Sequence, residues 1–196
     1  MRSQALTLIA ILTLLSTSLT GCISSTCVDS GDCEDDDGDD MVMDMVDDEP
    51  PDVWIGTPVP EFSGIDQHNR SWNASSFEGE VWVAYFSTPW CTHCETTLNA
   101  YDQAIPDGKF LIFNREFNDN YSNMTEWQET ATERIGRNIS RPFIHLPQFA
   151  SDLNVYGIPQ AFYVGGDGII LDYTLGARTD AGNLTAMFDE FSNPTA

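Results

Sequence analysis

The chain is short of positive charge. Its 196 residues hold 8 Lys and Arg against 31 Asp and Glu, a formal net charge of −23, and Lys109 is its one lysine. With no basic stripe to neutralise phosphates, the sequence excludes nucleic acid as a partner. Long apolar runs are scarce too. The one at the N-terminus, Ala5–Leu19, follows a single early cation, Arg2. It is too short, and too rich in Ser and Thr at its end, to span a bilayer, and it has the pattern of a signal peptide. Residues 23–52 lack aromatics and cations altogether and carry 13 acids. Such a stretch cannot bury enough apolar surface to offset chain entropy, so it reads as a disordered tether extended by its own repulsion.

Cysteine is used sparingly. Of five, Cys22 closes the apolar run, Cys27 and Cys33 lie in the acidic stretch, and Cys91 and Cys94 lie in the part expected to fold. Outside the cytoplasm each pair is free to oxidise. Cys27 and Cys33 enclose five residues and either close a small disulfide loop or stand as two thiols without a shared role. Met41, Met43 and Met45 alternate with acids and offer thioethers of the kind that bind Cu(I), although Met-x-Met in an acidic tail reads first as composition. Six N-x-S/T sequons, at Asn69, Asn73, Asn120, Asn123, Asn138 and Asn183, suit an exported protein.

The stretch "LTGC", Leu19 to Cys22, resembles the lipobox of prokaryotic lipoproteins. That resemblance implies cleavage before Cys22 and lipidation on it. The chain then divides into a lipoprotein signal peptide (1–21), a lipidated acidic tether (22–52) and a folded domain (53–196), anchored to the cell membrane on its extracytoplasmic side. The acid-rich, lysine-poor composition is similar to that of archaeal proteins from saline habitats.

Order is expected from Val53. Two short strands flank a turn at Gln67–Asn69. "VWVAYFS" (Val81–Ser87) is a continuous apolar strand of the kind buried on both faces. A helix is expected from Cys91 or Thr92, with Leu98, Tyr101 and Ile105 on one face and Pro106 ending it. "KFLIF" (Lys109–Phe113) is the next strand, giving a βαβ unit with parallel pairing. "MTEWQETATERI" supplies a second helix. "GIPQAFYV", "GGDG" and "IILDYTLG" make an antiparallel hairpin, and a last helix follows Thr179 as N-cap, with Leu184, Met187, Phe188 and Phe191 on one stripe.

Between the first strand and helix lies "STPWCTHCETT", two cysteines with two residues between them. Trp90 precedes the first, Ile158–Pro159 stands far downstream, and "GTPVPEF…SSFEGEVWVAYFS" leads in. This ordered set resembles the thioredoxin-like superfamily, in its redoxin branch with TlpA/ResA-like proteins. The implied fold is α/β, a central mixed β-sheet flanked by helices with an N-terminal β-hairpin extension. The implied activity is thiol–disulfide exchange on exported cysteine-containing proteins, with a membrane or extracytoplasmic electron donor or acceptor. No cofactor beyond the Cys91–Cys94 disulfide and no metal is implied. Cys91, at a helix N-terminus whose dipole and free N–H groups stabilise a thiolate, is the expected nucleophile, and Cys94 the resolving thiol. His93 stabilises the thiolate, Trp90 shields the site, and Pro159 is cis, leaving the backbone of Ile158 to pair with substrate. DsbA is similar in carrying His at the position of His93, so the expected potential lies above thioredoxin's, about −270 mV.

The chain also departs from the family. Thioredoxins carry a buried acid at the position of Tyr85, and ResA-like proteins a glutamate at that of Thr97. Glu95 is expected to face solvent, which leaves the Tyr85 hydroxyl as a candidate proton acceptor for Cys94. Two alternatives have partial signals. Peroxiredoxins share a threonine at the position of Thr88, but have proline where this chain has Ala84. Sco-like copper proteins use a three-residue gap and a distant histidine, for which His145 is the candidate.

Overall fold

A computed structural model describes residues 53–193. The signal peptide, Cys22, Cys27, Cys33 and the Met41/Met43/Met45 group all lie outside the described residues. Within them the order is β1 (Ser63–Ile65), β2 (Ser71–Asn73), β3 (Trp82–Ser87), α1 (Cys94–Ala104), β4 (Phe110–Asn114), α2 (Met124–Ile135), β5 (Phe143–His145), α3 (Pro147–Asp152), β6 (Gln160–Val164), β7 (Ile170–Leu175) and α4 (Ala181–Ser192).

The five-stranded sheet has the order β5-β4-β3-β6-β7. β3 is parallel to β4, and β4 to β5, while β6 runs antiparallel to both β3 and β7. All six residues of central β3 are buried, which accounts for its unbroken apolar sequence. Its side chains still alternate. Val83 and Tyr85 join a core with Leu98 and Tyr101 of α1, Trp127 of α2 and Leu184 and Phe188 of α4. Trp82, Ala84 and Phe86 face a second core with Phe149 and Ala150 of α3 and, from the N-terminal extension, Trp54, Phe62 and Phe77. The second core is largely aromatic, with Phe62 against Phe149 at 4.7 Å and Phe77 against Trp82 at 4.5 Å. Ring pairs at these distances contribute beyond their buried area.

The extension is the expected hairpin, β1 against β2. Its turn is organised by Asp66, which accepts hydrogen bonds from the amides of His68 and Arg70, the Arg70 guanidinium and the Trp72 indole. Asn69 takes the left-handed conformation the turn needs, at φ 63°. Gly64 lets the hairpin lie against β5, because a Cβ there would stand 2.6 Å from Ile144 Cγ2.

Three expectations need correction, and two elements are additions. α1 begins at Cys94, and Cys91–His93 forms a tight turn before it, with the Cys94 amide donating to the Cys91 carbonyl at 3.0 Å. The N-cap of α4 is Asp180, whose carboxylate accepts from the amides of Gly182 and Asn183 and outcompetes the neighbouring Thr179 hydroxyl for the helix N-terminus. β5 and α3 had no counterpart in the sequence reading. Three residues are too few to show a period, and α3 is six residues opened by Pro147. Glu95 does not simply face solvent: its side chain is only 15% exposed and pairs with Arg134 of α2 at 2.8 Å.

Arg141, from the segment before β5, closes the far end of α1. It is buried and donates to the carbonyls of Asp102, Ile105 and Pro106 and to the Asp102 carboxylate. A cation at the C-terminus satisfies carbonyls that have no helical partner and complements the dipole.

Candidate active site

β3 delivers the chain to the sheet edge at Ser87, and a short turn reverses it into α1. The Cys91 amide donates to the Thr88 carbonyl at 3.1 Å, and the Thr92 amide to the Trp90 carbonyl at 3.1 Å. The two-residue gap then sets Cys91 and Cys94 5.4 Å apart at Cα, joined as a disulfide. Both are buried, Cys91 with 2% of its surface exposed.

His93 sits on the solvent side of the turn with its ring against the disulfide. Its Nε2 is 3.3 Å and its Nδ1 3.7 Å from Cys91 Sγ. Trp90 is half exposed, and its indole N–H donates to Glu116 at 3.0 Å. That hydrogen bond, helped by the Asn118 amide, holds the Glu116 carboxyl below the usual carboxylate range. The Ile158–Pro159 peptide is cis. The Pro159 carbonyl accepts from the Gly176 amide at 2.8 Å, and the Arg178 amide donates to Thr97 in α1 at 3.1 Å. The turn after β7 is thereby bonded both to the proline loop and to the helix that carries Cys94. Ile158 and Trp90 line one open cleft of about 530 Å³.

Tyr85 corrects the expectation of a proton acceptor. Its hydroxyl donates to the Cys94 carbonyl at 3.0 Å, and burial pushes its pKa well above the ordinary tyrosine value. A phenol that donates to a carbonyl and is held neutral by desolvation has no basic site for the Cys94 proton. Thr97 is buried and bonded to the Arg178 amide. His145 is on the sheet's far flank, where it meets the Asn114 side-chain amide at 3.1 Å. Among the described residues the one cluster with metal-ligand spacing is Cys91, His93 and Cys94. His145 is not a member of that cluster.

No protein-family model matches the chain, and no curated protein matches it. Solved structures do. A thiol:disulfide interchange protein of the thioredoxin family from Chlorobium tepidum is 19% identical, with a TM-score of 0.55, over 70% of this chain and 97% of that one. The thioredoxin domain of a thiol-disulfide oxidoreductase from Bacteroides vulgatus is 19% identical, with a TM-score of 0.52, over 71% and 98%. The exposed lipoprotein thioredoxin of Streptococcus pneumoniae is 14% identical, with a TM-score of 0.53, over 67% and 99%. The fold is thioredoxin-like. A thioredoxin-like fold accounts for the arrangement described here: a disulfide at the start of α1, after the central strand, and a cis-proline just before β6.

Sequence reasoning missed the residues on the far side of the cleft. Arg115, Glu116 and Phe117 follow β4, and Tyr156 precedes the cis peptide. They come from loops, where no hydrophobic period marks a position as significant. Two polar groups near this region are also notable. Thr88 Oγ1 and both amide atoms of Gln160 are buried without a hydrogen-bond partner among the described residues. Most buried polar atoms have one.

Proposed function

We propose that the protein is a thiol–disulfide oxidoreductase, acting through Cys91 and Cys94 on dithiols or disulfides of exported proteins. One observation carries the reading: the Cys91–Cys94 disulfide opens α1 with His93 Nε2 at 3.3 Å from Cys91 Sγ. In the oxidising direction a client thiolate attacks Cys91 Sγ, the S–S bond breaks, and Cys94 leaves as a thiolate that takes up a proton. A second client thiolate then attacks the client sulfur of the mixed disulfide, releasing the oxidised client and the Cys91 thiolate. The reverse sequence reduces a client. The N-terminus of α1 and a hydrogen bond from the His93 ring stabilise the thiolates formed. The chemistry needs no bound cofactor, only an exchange partner in or outside the membrane to reset the pair.

The same reading places the protein outside the cytoplasm, held to the membrane by lipid on Cys22 through the acidic tether. Support comes from the lipobox-like "LTGC", the acidic stretch after it and the sequons. Metabolic labelling with a fatty-acid analogue tests it: label on the wild type and none on Cys22→Ala is expected.

Substitution of the resolving thiol tests the exchange chemistry. Cys94→Ala is expected to accumulate client adducts through Cys91 that a reductant releases, while Cys91→Ala accumulates none. An absence of adducts from Cys94→Ala in the native host refutes the reading.

A second reading has one observation behind it. Cys91, His93 and Cys94 place three ligand atoms within 4.8 Å of one another, and reduction of the disulfide would free both sulfurs for a soft ion such as Cu(I). Competition with a chromogenic Cu(I) chelator decides it: failure of the reduced protein to take copper from the chelator removes this reading.

A further inference from the structure

The chain carries more N-x-S/T tripeptides than its composition accounts for. It has 11 asparagines, and six of them open such a tripeptide. Ser and Thr make up 32 of the 196 residues, so chance alone places about two. The structure divides the six. In four, a side chain of the motif is already engaged. Asn73 Oδ1 accepts from the Ser75 hydroxyl of its own tripeptide and from the amide and hydroxyl of Ser76. The Ser122 hydroxyl, two residues after Asn120, donates to the Asp119 carbonyl. Asn123 caps α2, inside which Thr125 lies. Asn183 and Thr185 both belong to α4, where residues two apart do not face each other, and the Thr185 hydroxyl donates to the Ala181 carbonyl. The other two are Asn69-Arg70-Ser71 and Asn138-Ile139-Ser140. Both lie outside helices, with the asparagine and the serine exposed. Neither carboxamide and neither hydroxyl has a hydrogen-bond partner among the described residues. Ile139 is fully buried, its amide bonded to the Thr132 hydroxyl and its carbonyl to Gln128, so Asn138 and Ser140 on either side of it are turned outward. Asn69 stands in the β1–β2 turn. The two tripeptides share one flank: Gln67 of that turn donates to the Arg141 carbonyl and accepts from the Phe143 amide. Neither borders the cleft beside the disulfide.

We propose that Asn69 and Asn138 are N-glycosylation sites that place carbohydrate on the β5 flank of the domain and leave the cleft beside the disulfide open. This rests on the extracytoplasmic part of the proposed function. The donor is a polyprenyl-phosphate-linked oligosaccharide, and a transferase of the host joins the two. The carboxamide nitrogen of asparagine attacks the anomeric carbon of the sugar. The N–C bond forms as the bond from that carbon to the phosphate oxygen breaks, the nitrogen gives up one proton, and the polyprenyl phosphate leaves. The motif is read by its asparagine and its hydroxyl together, so both must reach the transferase. At Asn69 and Asn138 both groups are free and outward, and a bulky hydrated substituent there displaces no hydrogen bond of the fold. At the other four, presenting the pair means freeing a bonded hydroxyl or carboxamide, or unwinding a turn of helix.

The test is glycopeptide mass spectrometry on the full mature chain purified from its native host. Saccharide is expected on the peptides that hold Asn69 and Asn138, at higher occupancy than on the other four. Ser71→Ala and Ser140→Ala keep each asparagine and change only an exposed side chain. Each should abolish the addition at its own site and leave the other, lowering the intact mass by one saccharide, and the double variant should lose both. Ser71→Thr and Ser140→Thr retain a hydroxyl and should keep the addition. Protein recovered from membranes with an acyl chain on Cys22 and both asparagines bare overturns the sites and spares the extracytoplasmic reading. Unacylated protein confined to the cytosol, bare at both asparagines, overturns the two together. Equal occupancy at all six, or saccharide only at the other four, overturns the assignment to this flank.

Discussion

The hydroxyl of Tyr85 donates to the backbone carbonyl of Cys94 across 3.0 Å, fixing the first residue of α1 to the central strand. It stands where thioredoxins keep a buried acid, yet its chemistry is the opposite, that of a donor held neutral. Tyr85→Phe is therefore expected to cost about 1 kcal/mol in denaturant unfolding, for one net hydrogen bond. It should leave the pH profile of exchange in place. A displaced alkaline limb would instead make Tyr85 part of the proton path from Cys94.

Three buried tyrosines make the fold sensitive to base. Burial raises the pKa of Tyr85, Tyr101 and Tyr163, the last two lying with Thr174 on the helix side of the sheet. Unfolded tyrosines ionise near pH 10. Above that pH the unfolded chain binds fewer protons than the native one, so stability falls as pH rises; below it both states are protonated and these groups contribute no slope. Phenolate absorbance from the three should appear only with loss of the folded circular-dichroism signal. Their ionisation in the folded chain would contradict their burial.

Asp66 has the opposite sign. Burial raises its pKa, but the hydrogen bonds from Trp72, Arg70 and His68 outweigh burial and leave it lowered. A depressed carboxylate stabilises the native state above the unfolded pKa, about 4, and that contribution disappears as pH falls through the folded value. Asp66→Asn should lower stability at neutral pH by about 1–3 kcal/mol, through loss of charge-assisted bonds from the His68 and Arg70 amides, the Arg70 guanidinium and the Trp72 indole to a buried carboxylate. The gap from wild type should persist to about pH 4 and close only below it. A gap that does not change on acidification would assign the cost to packing.

How much of this was legible in the sequence follows from where each signal resides. Val81–Ser87 announced a doubly buried strand because both of its faces meet a core, and β3 is that strand. Leu184, Met187, Phe188 and Phe191 announced α4 because one stripe of a helix packs on one sheet. The pairing of Cys91 with Cys94 was legible because a two-residue gap brings two sulfurs together within a single turn. Distant partnerships were not. Nothing near Arg141 indicates that it caps a helix 36 residues earlier through the Ile105 carbonyl, or that Arg134 claims Glu95 across 39 residues. The cleft side chains Arg115, Phe117 and Tyr156 come from loops, and only the packed domain brings them together.

Arg141 provides a measure of such long-range contacts. Its guanidinium is buried, with an Asp102 oxygen at 2.6 Å and three carbonyls of the α1 terminus within 3.0 Å. Arg141→Leu removes the cation and leaves these acceptors buried, an imbalance that typically costs about 3–5 kcal/mol. Arg137 still pairs with Asp102, so the lower end is expected. A fall in urea midpoint with an unchanged slope checks it. A shift below about 0.5 kcal/mol would show that water replaces the guanidinium without penalty.

Under the proposed exchange chemistry, His93 is the residue expected to set how the cysteine pair is poised. With Nε2 at 3.3 Å from Cys91 Sγ in the disulfide, the imidazole is placed to hydrogen-bond a Cys91 thiolate, which we propose it stabilises in the reduced state while leaving the disulfide little changed. Whatever stabilises the reduced form makes the disulfide more oxidising. A hydrogen bond to a charged group is worth about 1.5–3 kcal/mol, and for a two-electron couple about 1.4 kcal/mol corresponds to 30 mV. His93→Ala should therefore lower the reduction potential by roughly 30–60 mV, toward the thioredoxin value near −270 mV, and slow the alkylation of Cys91 at acidic pH. Equilibration against a glutathione couple measures the first effect and a stopped alkylation series the second. If both parameters match wild type, the imidazole is a bystander, and the N-terminus of α1 alone sets the thiolate's stability.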